Sequence, residues 1–325
     1  MSKRIKRSPW VKRLEYAGTF LLVPILERIA PHKFRELPAY IGHCMFYLLA
    51  GRRRIALANL AKIFGGKKPE REIKTVAVKS QGGLLLSIWE SIWFRRLLEE
   101  PSGVLLLQRT VVGLDEFLGR ARALHEQSGG CIFVTPHFGG YGLLPYLFAA
   151  ARIPVTIPIQ ERANPYIQRR WCPLNRERVP GGEIFVSKTN SLGALQAALR
   201  EGRSVGMMPD QRTMRGLPID FLGHVAPTTP IPSVLAINYR RPIVVGACCR
   251  RTGAHPYELK LYEPIFPDAS QGKRENVVRM SREMNQAMES IIRADPEQYL
   301  WMHNRWKPYS SKKKGSSRFL PKAGE

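Results

Sequence analysis

CIFVTPHFGGYGLL, residues 131–144, is a short apolar run that stops at Pro136, His137 and a glycine-rich turn. Ile, Phe and Val over so few residues, then a proline and paired glycines, predict a buried strand that delivers His137 to its carboxyl end. Open α/β sheets bind their ligands in the crevice outside the carboxyl ends of strands, which makes His137 a candidate for chemistry. The same pattern also suits a histidine that only turns the chain among loop glycines.

On the amino-terminal side of this strand, Gly113–Gln127 has Leu114, Phe117, Leu118, Ala121 and Leu124 at helical spacing, and Ser128-Gly129-Gly130 supplies a stop before the strand. Leu143–Ala151 reads as the return helix. Val155–Ile159, Glu183–Ser187, Ser204–Met208 and Ile243–Ala247 read as further strands, with helices over Ser191–Arg200 and Asn276–Ala294. This alternation predicts an α/β sandwich whose central sheet is mixed and largely parallel, flanked by helices. Leu85, Ile88, Trp89, Ile92, Trp93 and Leu97 recur at helical spacing and read as a core stripe, with a membrane or acyl-chain contact as the second reading.

The chain has 325 residues, with 51 Lys plus Arg against 26 Asp plus Glu, a net charge of +25. An excess of that size points to an anionic partner: nucleic acid, an anionic lipid surface or an acidic carrier protein. No zinc-finger, basic-zipper or aromatic RNA-binding signature is present, so nucleic acid is not expected. Cys44, Cys131, Cys172, Cys248 and Cys249 show no C-x-x-C spacing and read as buried thiols, with neither disulfides nor a metal cage. No cofactor is expected.

The amino end carries Lys3, Arg4, Lys6, Arg7, Lys12 and Arg13, then an apolar run from Tyr16 to Leu26 that contains Pro24. A spanning helix needs about 20 apolar residues, so this run is read as lying in the membrane interface, or alternatively as a core helix. Leu37–Ala50 is a second apolar stretch and ends at Arg52, Arg53 and Arg54, an edge suited to phosphate headgroups. The organisation expected is a membrane-associating segment over 1–54 with amphipathic helices, a main domain over 55–307 and a basic, disordered tail over 308–325.

Four segments, in order, resemble the late acyltransferases of lipid A biosynthesis, the lauroyl/myristoyl acyltransferases within the wider glycerolipid acyltransferases. They are VTPHFGGYGLLP (Val134–Pro145), NPYIQRRWCPLNRER (Asn164–Arg178), MMPDQRTMRGLPIDFLGHVAPTTP (Met207–Pro230) and PEQYLWMHNRWK (Pro296–Lys307). The resemblance covers nearly the whole chain. It implies a glycerolipid-acyltransferase-like sandwich and transfer of a fatty acyl group from acyl carrier protein, or coenzyme A, to a hydroxyl of a lipid A precursor. It also implies a peripheral or monotopic protein at the cytoplasmic face of the inner membrane. Acidic carrier protein, anionic glycolipid and membrane surface each complement the net charge.

A thioester is already activated, so the reaction needs a base for the acceptor hydroxyl, donors for the tetrahedral oxyanion and cations for phosphate. His137 is the expected base. The resemblance places Arg176 and Arg178 in the arginine segment, where guanidinium forks hold acceptor phosphate or polarise the donor carbonyl. Asp210, just past the strand at Ser204–Met208, is expected at the same sheet edge as His137, and the alternative is a loop-capping role. Gln211, Thr228 and Thr229 are expected to contact substrate, and Trp301, His303 and Arg305 to brace the site.

The family motif H-x4-D/E places a carboxylate five residues after the histidine, and here that residue is Gly142. Three readings stay open: a carboxylate from elsewhere (Asp210, Glu161 or Glu183) replaces it, His137 acts without one, or the fold retains only a lipid-binding or scaffolding role. Gly142→Glu restores the spacing, and on the second reading it raises activity.

Overall fold

The computed structural model describes residues 8–34, 36–99, 103–159, 164, 185–187, 191–214 and 216–307. Four helices come first: α1 (Pro9–Arg28), α2 (Glu36–Leu48), α3 (Ala50–Phe64) and α4 (Glu70–Glu99). Next come α5 (Gly103–Thr110), β1 (Val111–Val112), α6 (Leu114–Ser128), β2 (Ile132–Val134), α7 (Leu144–Ala150), β3 (Val155–Ile159) and β4 (Phe185–Ser187). The rest is α8 (Ser191–Arg200), β5 (Ser204–Met207), β6 (Leu217–Phe221), β7 (His224–Thr228), α9 (Ile231–Tyr239), β8 (Ile243–Arg250), β9 (Tyr257–Leu261) and α10 (Lys273–Ala294).

Among the described residues seven strands form one sheet in the order β1-β9-β8-β2-β5-β3-β4. Only the β8–β9 pair is antiparallel, so the sheet is mixed and mostly parallel. Its central strands are buried on both faces. On one side Ile132, Val134, Val205, Ile243 and Val245 pack with α3 and α8–α10 around Met280, Met284 and Trp301. On the other, Cys131, Phe133, Val155, Val244 and Cys248 pack with α4–α7 around Trp93, Phe94 and Phe148. The period-2 alternation of side chains across β8 is what divides the apolar set between two cores.

The predicted glycine stop after α6 is present: Gly129 caps the helix at φ 60°, and Gly130 follows at φ 113°. That left-handed pair turns the chain directly into β2. The stripe on α4 is core at Trp89, Trp93 and Leu97, whereas Ile88 is 47% exposed and lies off the packed face. Of the cysteines described, Cys131, Cys248 and Cys249 are buried free thiols, and burial pushes Cys131 up to about 12. Cys44 differs from the expectation, because α2 turns it to solvent.

No strand is predicted over β6 or β7. They form an antiparallel hairpin around Leu222 and Gly223, both at positive φ, the geometry of a two-residue primed turn. Pro218 and Pro227 sit opposite one another. Counted from the hydrogen-bonded Phe221–His224 pair at the turn, theirs is a non-hydrogen-bonded position, where a missing N–H costs the ladder nothing.

Only Val23 of α1 is buried, so α1 is not a core helix. Its carboxyl end is held by the Trp89 indole N–H on the Leu26 carbonyl (3.0 Å) and by an Arg95–Glu27 ion pair. α2 crosses α4 where Gly42 meets Gly82 so closely that a Cβ on Gly42 would overlap the facing backbone. No described helix is long and apolar enough to cross a membrane. α3 runs through the expected boundary at residue 54 and adds Ala56, Leu60, Ile63 and Phe64 to the core. The tail over 308–325 lies outside the described residues.

Candidate active site

β2 and β5 are parallel neighbours in the register Val134↔Met207. His137 and Asp210 each lie three residues past that pair, so the sheet itself brings them together at one edge. His137 Nδ1 is 2.7 Å from Asp210 Oδ1, and the His137 backbone N–H donates to Asp210 Oδ2 at 2.9 Å. With both oxygens engaged, the carboxylate fixes ring and main chain together. An Nδ1–H donated to Asp210 leaves Nε2 as the acceptor nitrogen, the tautomer a general base requires. The Gln211 amide nitrogen lies 3.2 Å from Nε2 and can donate to it.

Asp210 is 1% exposed. Burial raises its pKa, but the His137 charge and the two His137 hydrogen bonds outweigh that and hold the carboxyl below the usual carboxylate range. Tyr299 faces it. Burial first, then the Asp210 charge, push the phenol far up, so it stays protonated. Burial lowers His303, whose neutral Nε2 accepts the Arg212 backbone N–H at 3.0 Å.

The PEQY-W-H-R segment clamps the histidine loop from below. Leu300 N–H donates to His137 O (3.1 Å), Gly139 N–H donates to Gln298 O (3.2 Å), and Phe138 bridges Tyr299 in antiparallel fashion. Trp301 and Arg305 are fully buried braces. The Arg305 guanidinium donates to Pro227 O (2.6 Å) and Thr228 Oγ1 (2.8 Å).

That contact corrects the expectation for Thr228. Its hydroxyl is wholly buried and spent on Arg305 and on Ala226 O (3.1 Å), so it holds the brace and does not face a substrate. Thr229 is partly exposed, with its hydroxyl accepting the Ile231 N–H at 3.3 Å, a local turn contact at the start of α9. Of the expected site residues, the structure therefore brings together His137, Asp210 and Gln211. Arg176, Arg178, Glu161 and Glu183 lie outside the described residues. Asn164, which opens the arginine segment, donates to Lys12 O at 2.7 Å and so ties that segment's start to α1.

A second buried carboxylate, unnoticed in the sequence, lies under the glycine turn. Glu90 on α4 accepts from Arg250 Nε and from an Arg250 terminal nitrogen, each at 2.8 Å. That terminal nitrogen also donates to Ser87 Oγ (2.6 Å) and Gly139 O (2.8 Å). Gly139 is at φ 56° against the Cys248 carbonyl, with no room for a Cβ. One guanidinium thus ties α4, the end of β8 and the turn that follows His137. The signal in the sequence was a lone acid in LLLSIWESIW and an arginine closing the apolar run IVVGACCR, neither with a local partner.

Gly142 is explained by packing. A Cβ there would fall on the Ser91 hydroxyl and lie 3.0 Å from Ser91 Cβ, so α4 occupies the space a longer side chain would need. Gly142→Glu is therefore expected to cost stability, on the order of 1–3 kcal/mol for overpacking, and to lower transfer where an unassisted histidine would have gained from it. Urea midpoints and transfer rates of the variant check this. Equal stability with raised activity would overturn it.

Among the described residues no cluster of three His, Cys, Asp or Glu side chains is placed to hold a metal. No curated protein matches the chain. The family model described as bacterial lipid A biosynthesis acyltransferase matches residues 4–308, nearly the whole sequence, and the chain belongs to that family.

Proposed function

We propose that the protein transfers a fatty acyl group from a thioester donor, acyl carrier protein or coenzyme A, to a hydroxyl of a lipid A precursor. The observation that carries this is the His137–Asp210 contact at 2.7 Å, made by loops from two adjacent parallel strands. It supplies from β5 the carboxylate that Gly142 cannot, and so favours an enzyme over a scaffold on the same fold.

In the reaction the acceptor hydroxyl displaces the Gln211 amide from Nε2, and Nε2 takes the hydroxyl proton as the oxygen attacks the thioester carbonyl carbon. Asp210 stabilises the imidazolium that forms. Collapse of the tetrahedral intermediate breaks the C–S bond, and the imidazolium returns its proton to the thiolate. Transfer is tested by mass spectrometry of lipid A precursors incubated with acyl-carrier or acyl-coenzyme A donors. A mass gain of one acyl unit supports the reading, and unchanged acceptors with every donor end it.

Arg176 and Arg178 are assigned to anionic groups of acceptor or donor. Each Arg→Lys change is expected to lower kcat/KM by about tenfold despite unchanged charge, because an ammonium cannot form the bidentate fork. Wild-type kinetics in both variants would remove the assignment.

The amino-terminal helices are assigned to the cytoplasmic face of the inner membrane as an interfacial pad. Trp10, Leu14, Leu21, Leu22, Tyr40 and Leu48 are all more than half exposed on α1 and α2, beside basic residues. Flotation with anionic vesicles tests the assignment, and a protein that stays at the bottom of the gradient would refute it.

A further inference from the structure

α3 carries Arg52, Arg53, Arg54 and Lys62 and no acidic residue along its length. Arg54, Ala58, Ala61 and Lys62 are exposed, and their spacing puts them on one side of the helix. That side continues into an open depression lined by Ala58, Asn59, Lys62, Asn304, Trp306 and Lys307. Among the described residues, neither Arg54, Lys62 nor Lys307 is engaged in an ion pair.

The depression is wired to the base. Asn59 donates to the carbonyls of Trp301 and His303, both at 2.8 Å, and Arg212 Nε donates to Lys307 O at 2.8 Å. Arg212 follows Gln211, whose amide meets His137 Nε2. One arginine side chain and the glutamine before it thus link the depression's rim to the base.

We propose that this face, α3 with the Asn304–Lys307 rim, is where the acidic carrier protein that brings the thioester docks. The proposal rests on the acyl-transfer reading above. What distinguishes the face from a lipid-binding one is the absence of apolar anchors: no large apolar side chain between Ala50 and Phe64 is among the exposed ones, which crowd α1 and α2 instead. Small Ala58 and Ala61 between cations let a partner helix approach closely, with its carboxylates meeting Arg54, Lys62 and Lys307.

The test is the full-length Arg54→Glu/Lys62→Glu variant against wild type, with the milder Lys62→Ala in parallel and thermal melts to show that each folds. Binding of acyl carrier protein is read by fluorescence anisotropy, and transfer is measured from acyl-carrier and acyl-coenzyme A donors. Carrier binding is expected to weaken at least about tenfold in the double variant, KM for the acyl-carrier donor to rise in proportion, and transfer from acyl-coenzyme A to stay unchanged. Salt is expected to weaken the wild type more than the variant. Unchanged carrier binding, equal losses with both donors, or loss of binding to anionic vesicles with carrier binding intact would each overturn the docking assignment. A wild type that binds carrier protein through these residues yet transfers from no donor leaves the docking face standing and defeats the acyl-transfer reading. A wild type that transfers from acyl-coenzyme A without binding carrier protein does the reverse.

Discussion

Asp210→Asn is expected to lower acyl transfer by about three to four orders of magnitude, close to the loss in His137→Ala, while the fold is retained. The number of acceptor oxygens decides this. Asp210 uses Oδ2 for the His137 main-chain N–H and Oδ1 for Nδ1. Asparagine has one oxygen. If that oxygen keeps the main-chain donor, its NH2 faces Nδ1, turns that nitrogen into the acceptor and moves the ring proton to Nε2, where no base is left. Single-turnover rates with a thioester donor check this, and substantial turnover in Asp210→Asn or His137→Ala would refute the roles given to these residues.

The same pair gives a stability signature. Asp210 titrates below its ordinary value of 3.8 in the native state, so its ionised form favours folding. That contribution is complete above the unfolded pKa and disappears as pH falls through the native one. Wild type is therefore expected to lose stability relative to Asp210→Asn as pH drops below about 4, a difference that urea titrations at several pH values would show.

Glu90→Ala is expected to have the largest effect on stability, about 3–5 kcal/mol, because it leaves the Arg250 guanidinium buried without its carboxylate. Burial disfavours the charged Arg250, and the Glu90 charge and hydrogen bonds, with smaller contributions from Tyr257 and Cys248, together more than offset it, so removing the acid uncovers that penalty. Replacing both, as Glu90→Leu/Arg250→Met, should restore most of the loss. Activity should not return with it, since Gly139 O and Ser87 Oγ lose a common donor and the turn behind His137 loosens. Urea midpoints and transfer rates, measured together, separate the two effects, and a double variant as active as wild type would show that the tether is dispensable.

Much of this architecture was readable from local pattern. Ser191–Arg200 and Val155–Ile159 occur as predicted, and β2 ends where Pro136 and His137 implied. Asp210 was placeable because strand and loop lengths put it at the sheet edge. The hairpin Leu217–Thr228 was not, since Pro218 and Pro227 argue against strands until their non-hydrogen-bonded pairing is known. Nor was β9: YELKL alternates strictly between apolar and polar residues, but the run is only five residues long and gains its place by pairing with β8. The Glu90–Arg250 contact joins two residues far apart in sequence; each stands out as a lone charge against an apolar run, but nothing local pairs the two. Gly142 was legible as a departure, but its cause, the Ser91 side of α4, lies in tertiary packing alone.

The hydrogen bond from Leu300 to the His137 carbonyl has a bearing on how the protein is made. Chains emerge from the ribosome amino end first, so base and acid are synthesised long before the segment that clamps their loop. The nascent polypeptide is thus expected to remain inactive until Pro296–Trp306 has cleared the exit tunnel and docked. Acylation would then begin only on finished molecules, and a premature stop between Asp210 and Trp301 would yield a product that carries both reacting side chains yet turns over nothing.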